Sequence, residues 1–490
     1  MSEASKLALA RWQALSHDQR CKAVASTRHQ ITRIADNLIE ACRSPQRTED
    51  LETVASELIP LCDALHWLGR RGSRVLASRK VGWVGRPLWL WGSRAIVQRR
   101  PLGTVLVLGA WNYPLLLVGV QAAQALAGGN RVLIKPPPGC ESATELLASC
   151  FHNALADHDI DPSIVQVIDS SVAEAQRVMA NGIDCVVLTG GIETGVAVMQ
   201  QAAKTITPSI MELSGSDAVV SLNGSLQDVK LADRLVRCLE FGLLFNSGAT
   251  CIGPRRWFVP KSSQATKQII PKLITRLQDA GPVSVHASAR QAVADLVQSA
   301  INPPMNHAAA TDLIGRWDVN RLRYEGLMHP VVLDNVPEDH AILQSDLFAP
   351  VLSIVSYEKI DEVIDAINTC RYRLSASVFG DRVEAERVAN RLDVGTVCVN
   401  DLIAPTADPR LPFGGRGRSG FGVTRGREGL LAMTTPHTVI TQRGNVLPHL
   451  LPASESTVDL LTAVLRQRHS STLRERLAAI KSITTAARKS

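Results

Sequence analysis

Thirty consecutive residues without a charged side chain, Pro101 to Asn130 (PLGTVLVLGAWNYPLLLVGVQAAQALAGGN), limit what this chain can become. The run is long enough to cross a bilayer. Its content argues against that. Pro114 lies inside it, Asn112, Gln121 and Gln124 interrupt it, and Gly128-Gly129 stops it. The better parse is a short strand at Thr104 to Leu108, a turn, a buried helix from about Leu115 to Leu126, and a second strand at Arg131 to Lys135. Continuous apolar strands around a helix belong to a parallel sheet covered on both faces.

The stretches SIVQVID and DCVVLTG continue the alternation, which predicts a doubly wound α/β domain. A second α/β pattern runs from about Ala218 to Asn400 and includes PRRWFVP, the helix marked by EKIDEVIDAI, and the strand GTVCVN. The full chain of 490 residues exceeds one compact core and fits two or three domains. Residues 4–43 and 50–76 read as amphipathic helices separated by RSPQRTED, with Pro45 as the breaker.

Composition narrows the function classes. Hydrophobic residues make up 45% and charged residues 20%, as in an ordinary globular protein. The net charge of +7 comes from dispersed basic residues, which is not a nucleic-acid footprint. The ten cysteines form no CxxC pair and match no zinc spacing, so no metal site is expected. Scattered single cysteines, with no leader in MSEASKLALARWQALSHDQR, suggest a reducing, cytoplasmic location. The C-terminal segment STLRERLAAIKSITTAARKS places Leu473, Leu477, Ile480 and Thr484 on one helical face, with Thr472 and Glu475 as a capping box. We read it as a terminal helix docked on the body or on a partner subunit; the alternative is a membrane-surface or recruitment helix.

Four stretches carry candidate chemistry. In FNSGATCIGPRR, Asn246, Ser247 and Gly248 mark a tight turn that could hold Cys251 in a cleft, its thiolate stabilised by backbone N–H groups and a positive environment. The alternative is a small buried hydrophobe, as expected for the other nine cysteines. In IMELSGSDAVV, Glu212 sits among apolar neighbours, which raises a carboxyl pKa toward that of a general base; a salt-bridged strand-end glutamate is the alternative. In GAWNYP, Asn112 lies at the carboxyl end of a buried strand, where an amide can donate to a developing oxyanion or simply cap a turn. In VVLTGGIETG, Gly190-Gly191 turn a strand into a helix containing Gly195, aiming backbone N–H groups at a phosphate. That last turn is not the GxGxxG fingerprint.

Together, in this order, these stretches resemble the aldehyde dehydrogenase superfamily, over about Pro101 to His437. LIKPPPG, SDLFAPVLSIV, GTVCVN and RLPFGGRGRSGFGVTRGREGL extend the match. The short portion before GAWNYP resembles the class 3, fatty-aldehyde-type branch, which implies a homodimer. The resemblance implies a dinucleotide-binding domain at 1–215 completed by about 415–440, a catalytic domain at 216–414 and a basic tail at 441–490. It implies that Cys251 attacks an aldehyde, Asn112 and the Cys251 N–H hold the oxyanion, and Glu212 activates water. It places NAD or NADP on Lys135, Gly190, Gly191, Gly195, Leu213, Asp346, Phe348 and Trp111. Trp111 and Tyr113 suggest a hydrophobic entrance for the aldehyde.

Departures from the family pattern matter. Pro138 stands where many members carry a ribose-binding glutamate, so NADP becomes usable. Gly191 replaces a frequent serine, Ala249 a glutamine and Ser214 a glycine. Asp346 replaces a glutamate and shortens its reach by about 1.5 Å, which predicts a looser ribose contact. NGSLQDVKLAD predicts a changed surface loop. Two other functions remain open at this point: a coenzyme A-acylating enzyme, and a retired scaffold recruited through its tail. Glu212 argues against the first, and the intact trio against the second.

Overall fold

The computed structural model describes residues 3–87, 90, 92–223, 227–261, 263, 266–304, 308–443, 447–450 and 454–486. The chain forms two compact units, residues 1–77 with 99–435, and residues 78–98 with 436–490.

The larger unit holds two mostly parallel sheets. In the first, β1 (Thr104–Leu108) leads through α1 (Leu116–Ala127) to β2 (Arg131–Lys135), followed by β3 (Val165–Val167), β4 (Cys185–Gly190), α2 (Ile192–Ala203) and β5 (Ser209–Leu213). The sheet order is β5-β4-β1-β2-β3, all parallel, with the short strand Gly420–Phe421 added antiparallel to β5. The order reverses between β1 and β4, and open α/β sheets bind ligands at the carboxyl ends of strands at such a point.

The uncharged run is explained by burial on every side. All of α1 is buried, packed with Leu61, Leu65 and Val24 from the N-terminal helices and with Val105 and Val107 of β1. Each buried Leu or Val contributes about 1.5–3 kcal/mol relative to exposure. The Trp12 indole N–H donates to the Leu126 carbonyl at 3.1 Å, tying the first helix over the end of α1. The expected helix over 4–43 is four short ones, Glu3–Ala14, His17–Ala25, Thr27–Arg33 and Ala35–Ala41. Ser16 explains one break: it caps the second helix in a reciprocal box with Gln19.

After the three residues Ser214 to Ser216 the chain passes from β5 into the second sheet. Its strands are β6 (Asp217–Ser221), β7 (Pro254–Pro260), β8 (Val331–Asp334), β9 (Val351–Tyr357), β10 (Ser375–Phe379) and β11 (Thr396–Val399). They run in parallel in the order β8-β9-β7-β6-β10-β11, with Thr311–Asp312 antiparallel at the edge. Between β6 and β7 lies α3 (Val229–Leu244), and α4 (Ala287–Ile301) follows β7. The loop expected at NGSLQDVKLAD falls partly on 224–226, outside the described residues. Asp228 caps α3, accepting from Lys230 N and Leu231 N, so residues 229–233 are helix rather than loop.

The smaller unit holds most of a three-stranded sheet, Arg79–Val81, Ser93–Pro101 and Thr434–Gln442. It also contains two helices, α5 (Glu455–His469) and α6 (Leu473–Ala486). The apolar face of α6, read from the sequence as docked, is uncovered in the single chain: Leu473, Leu477 and Ile480 are exposed, and Ala479 is buried instead. Among the described residues, no helix is long and apolar enough to cross a membrane.

Candidate active site

The turn that carries Cys251 is built under backbone strain. After α3, Asn246 (φ 51°) and Ser247 (φ 55°) adopt left-handed conformations, followed by Gly248 (φ 75°). A side chain at Gly248 would sit 2.5 Å from the Ala349 backbone, so only glycine fits. Left-handed non-glycine residues cost about 1–2 kcal/mol each and need compensating contacts. Asn246 N donates to Glu52 Oε1 (2.9 Å), Asn246 Nδ2 to the Asn112 carbonyl (2.9 Å), and Ser247 Oγ to the Gln46 carbonyl (2.7 Å). Tyr113 and Thr250 join their hydroxyls at 2.7 Å.

Asn112 leaves β1 on the facing side. Its Nδ2 donates to the Ala249 carbonyl at 3.0 Å, which brings the amide to the residues just before Cys251. Its own carbonyl accepts from Arg47 Nη2 at 2.6 Å. Arg47 pairs with buried Glu57, whose second oxygen accepts from Leu115 N and Leu116 N, both at 2.7 Å. Two segments far apart in sequence are thereby fixed to one frame. Among the described residues no acceptor takes the Cys251 N–H, so it and Asn112 can serve a developing oxyanion.

Glu212 lies on β5, in register with Thr189 of β4. One oxygen accepts from Gln121 Nε2 (3.1 Å) and Thr189 Oγ1 (3.0 Å), and the other from the Thr424 hydroxyl. Burial raises its pKa against these hydrogen bonds and the nearby Arg425, in the direction expected for a general base.

The thiol's surroundings differ from the expectation. Burial pushes the Cys251 pKa up to about 12, and Asp217, Glu212 and Asp346 push the same way; Arg425 opposes them. The site is carboxylate-rich, not positive, which disfavours the thiolate. The two arginines after Cys251 are committed elsewhere. Arg255 donates to the Gly248 and Thr250 carbonyls (2.8 and 3.1 Å), and Arg256 to the Ser216 carbonyl (2.8 Å).

One cavity of about 870 Å³ joins these parts. Cys251, Asn112 and Glu212 line it, as do Trp111, Lys135, Gly190, Gly191, Leu213, Asp346 and Phe348. Gly191 caps α2 without a side-chain acceptor, leaving the helix N-terminus to a ligand oxyanion. A Cβ on Gly190 or Gly191 would not clash with the protein. Gly195 is the exception. It is a packing residue, since a Cβ there would press 2.8 Å from the Leu213 side chain. Lys135, at the end of β2, has its pKa lowered by burial against the pull of Glu141 and Asp169. Asp346 is buried, its pKa raised to about 7 by desolvation against Arg255. The Arg255 Nε lies 3.8 Å from Asp346 Oδ1, and both atoms lack hydrogen-bond partners.

Several neighbours were not singled out in the sequence. Gln121, Thr189, Thr424 and Arg425 surround Glu212, and Asp217 lies close enough to act on the thiol. His286 stacks on Trp111, ring centroids 4.1 Å apart, while accepting from Ser288 N at the head of α4. The signal available for His286 was its place two residues before a serine at a helix start.

A cysteine on a strained turn, facing the switch point of a dinucleotide-type sheet and sharing its cleft with an amide and a carboxylate, defines a thiol-dependent α/β enzyme class. The chain belongs to the aldehyde dehydrogenase family, whose sequence profile matches residues 1–439. It is 31% identical over 461 residues to 4,4'-diapolycopene aldehyde oxidase of Methylomonas sp, covering 92% of this chain and 83% of that protein. It is 30% identical over 336 residues to aldehyde dehydrogenase family 3 member A2 of Rattus norvegicus, covering 68% and 66%. The fold is shared with Mycobacterium tuberculosis aldehyde dehydrogenase complexed with NAD+ (TM-score 0.77, 23% identity, 88% and 87% covered). It is also shared with the substrate-bound state of Staphylococcus aureus AldH (TM-score 0.74, 24% identity, 98% of each chain).

Proposed function

We propose that this enzyme oxidises an apolar aldehyde to the carboxylic acid with NAD or NADP, without coenzyme A. The observation that carries this reading is the single cavity lined by Cys251, Asn112 and Glu212 at one part and by Gly190, Gly191 and Lys135 at another. Cys251, on losing its proton, bonds to the aldehyde carbon, and the Asn112 amide with the Cys251 N–H stabilises the oxyanion. A nicotinamide cofactor held by Gly190, Gly191 and Lys135 would supply the hydride acceptor, and the acyl group would then remain on Cys251 as a thioester. Glu212 takes the proton of the water that releases the acid, as its raised pKa suits. The uncapped α2 N-terminus fits the pyrophosphate, and the unpartnered Asp346 oxygen fits a ribose hydroxyl. Pro138 at the cavity wall places no negative charge against a 2′-phosphate.

The substrate is an extended apolar aldehyde. Leu116, Leu117, Phe241, Phe245, Ile403 and Phe413 line the cavity, and relatives are named for 4,4'-diapolycopene and 4,4'-diaponeurosporene aldehydes. We place the chain in the class 3 branch as a homodimer, on its likeness to the rat family 3 protein and on the exposed edge strand Thr434–Gln442. A reducing, cytoplasmic compartment suits ten free cysteines.

The test is an aldehyde panel of increasing chain length with each cofactor, read as reduced-nicotinamide absorbance. Turnover without coenzyme A, rising with chain length, is expected; dependence on coenzyme A would identify the acylating form. Cys251→Ala should abolish turnover while cofactor binding persists, and retained turnover would refute the assignment. Glu212→Gln should leave a burst of reduced cofactor followed by a steady state slowed roughly 10²–10⁴-fold.

A further inference from the structure

The helical hairpin at the C-terminal end lies beyond the family match, which ends at residue 439. Helices α5 and α6 are joined by Ser470 to Thr472 and pack on each other. Ser454 Oγ accepts from Thr457 N (3.2 Å) at the head of α5, and Thr472 Oγ1 from Glu475 N (3.3 Å) at the head of α6. Each helix buries one alanine, Ala463 and Ala479.

The opposite faces are apolar and exposed. On α6, Leu473, Leu477 and Ile480 are 73%, 56% and 45% exposed; on α5, Val458, Leu461 and Leu465 are exposed at the same helical spacing. A single exposed leucine needs no explanation, but two continuous stripes on one short hairpin do. Arg476 and Lys481 fall on opposite borders of the α6 stripe by helical spacing. Residues 454–490 carry seven Lys and Arg against three Asp and Glu, whereas residues 1–453 carry 46 against 43.

We propose that this hairpin docks on an anionic lipid surface, with the α6 stripe in the headgroup–acyl boundary and Arg474, Arg476 and Lys481 on lipid phosphates. Basic flanks beside an apolar stripe complement an anionic bilayer, and they repel the same face of a second copy. The docking is peripheral, since neither helix qualifies as a span. It does not depend on the reading of Cys251.

The full-length protein is sedimented with phosphatidylcholine vesicles, with and without phosphatidylglycerol, at low and high salt. Binding only to the phosphatidylglycerol vesicles, weakened by salt, is expected. The triple variant Leu473→Glu, Leu477→Glu, Ile480→Glu, made at exposed positions, should lower the bound fraction about tenfold or more. It should keep wild-type mass by light scattering and wild-type turnover of a water-soluble aldehyde. Absent binding, equal binding to neutral vesicles or full binding by the variant overturns the proposal. A fall in molar mass in the variant also overturns it, assigning the stripe to a second copy.

Discussion

Two buried arginine–carboxylate pairs flank the turn that holds Cys251, and they are finished to different degrees. In the pair behind the turn, Glu57 receives Arg47 on one oxygen and two backbone N–H groups on the other, and Arg47 passes its remaining Nη to the Asn112 carbonyl, so that among the described residues only the Arg47 Nε lacks a partner. In the pair on the nucleotide side, Asp346 takes a side-chain hydrogen bond from Ser214 but stands 3.8 Å from Arg255 with Oδ1 unpartnered. A buried carboxylate with all its donors in place belongs to the scaffold. One left short of donors is costly by itself, and its cost is offset when a ligand supplies the missing group. The comparison therefore separates what holds the site from what we propose is left open for the cofactor.

Removing charge from the finished pair should have the largest effect. Glu57→Gln leaves the Arg47 guanidinium buried without a counter-charge and weakens the grip on α1. We expect a loss of about 3–5 kcal/mol in unfolding free energy, read by denaturant titration, with turnover falling as Asn112 loses its anchor. A variant as stable as wild type would show that the pair does not bear on the frame. Asp346→Asn should behave in the opposite way. Near pH 5 its stability should change by less than about 1 kcal/mol, because there an amide replaces a largely protonated carboxyl. Its KM for the cofactor should rise about tenfold with kcat less affected, since a carboxylate bond to a ribose hydroxyl is worth about 1.5–3 kcal/mol. A large stability loss with an unchanged KM would erase the distinction between the pairs.

The parts of this arrangement visible in the sequence were those with local signals. Asn246-Ser247-Gly248 announced the turn, Asn112 ended a charge-free strand, and Glu212 interrupted an apolar one. The β1–α1–β2 run was legible to within a residue or two because its burial excludes charge continuously. What the sequence hid was pairing across distance. Arg47 sits in the separator RSPQRTED and Glu57 in the helical stretch after it, and both read as ordinary surface, yet they hold Asn112 and α1. Arg255 and Arg256 follow Cys251 closely but do not supply the positive environment expected of it. On a strand consecutive side chains point to opposite faces, and these two end on separate carbonyls, while the carboxylates that face the thiol come from β5, β6 and the loop before β9. Gly195 looked like part of a phosphate turn, whereas its lack of a side chain serves packing against Leu213. In each case a short-range pattern gave the residue's importance, and only the closed fold gave its direction.

The last expected effect concerns pH and follows from the same unfinished pair. Asp346 and Asp217 have pKa values raised to about 7, above the ordinary aspartate value of 3.8, chiefly by desolvation. A carboxyl with a raised folded pKa favours the folded state most when protonated, below its unfolded pKa. That contribution is lost as pH rises from near 4 through the folded pKa near 7. Each group therefore makes the native state less stable at pH 8 than at pH 5, opposite to the effect of a salt-bridged surface aspartate such as Asp50, whose pKa Arg43 lowers. Asp346→Asn removes one of the two contributions. The wild-type minus variant difference in unfolding free energy should then fall steadily between pH 5 and pH 8 and level off above. Saturating NADP should shrink the slope, because a ribose hydroxyl donating to Asp346 favours its charged form. A difference that stays flat across this range would mean that Arg255 already satisfies Asp346, and the two pairs would be equally finished.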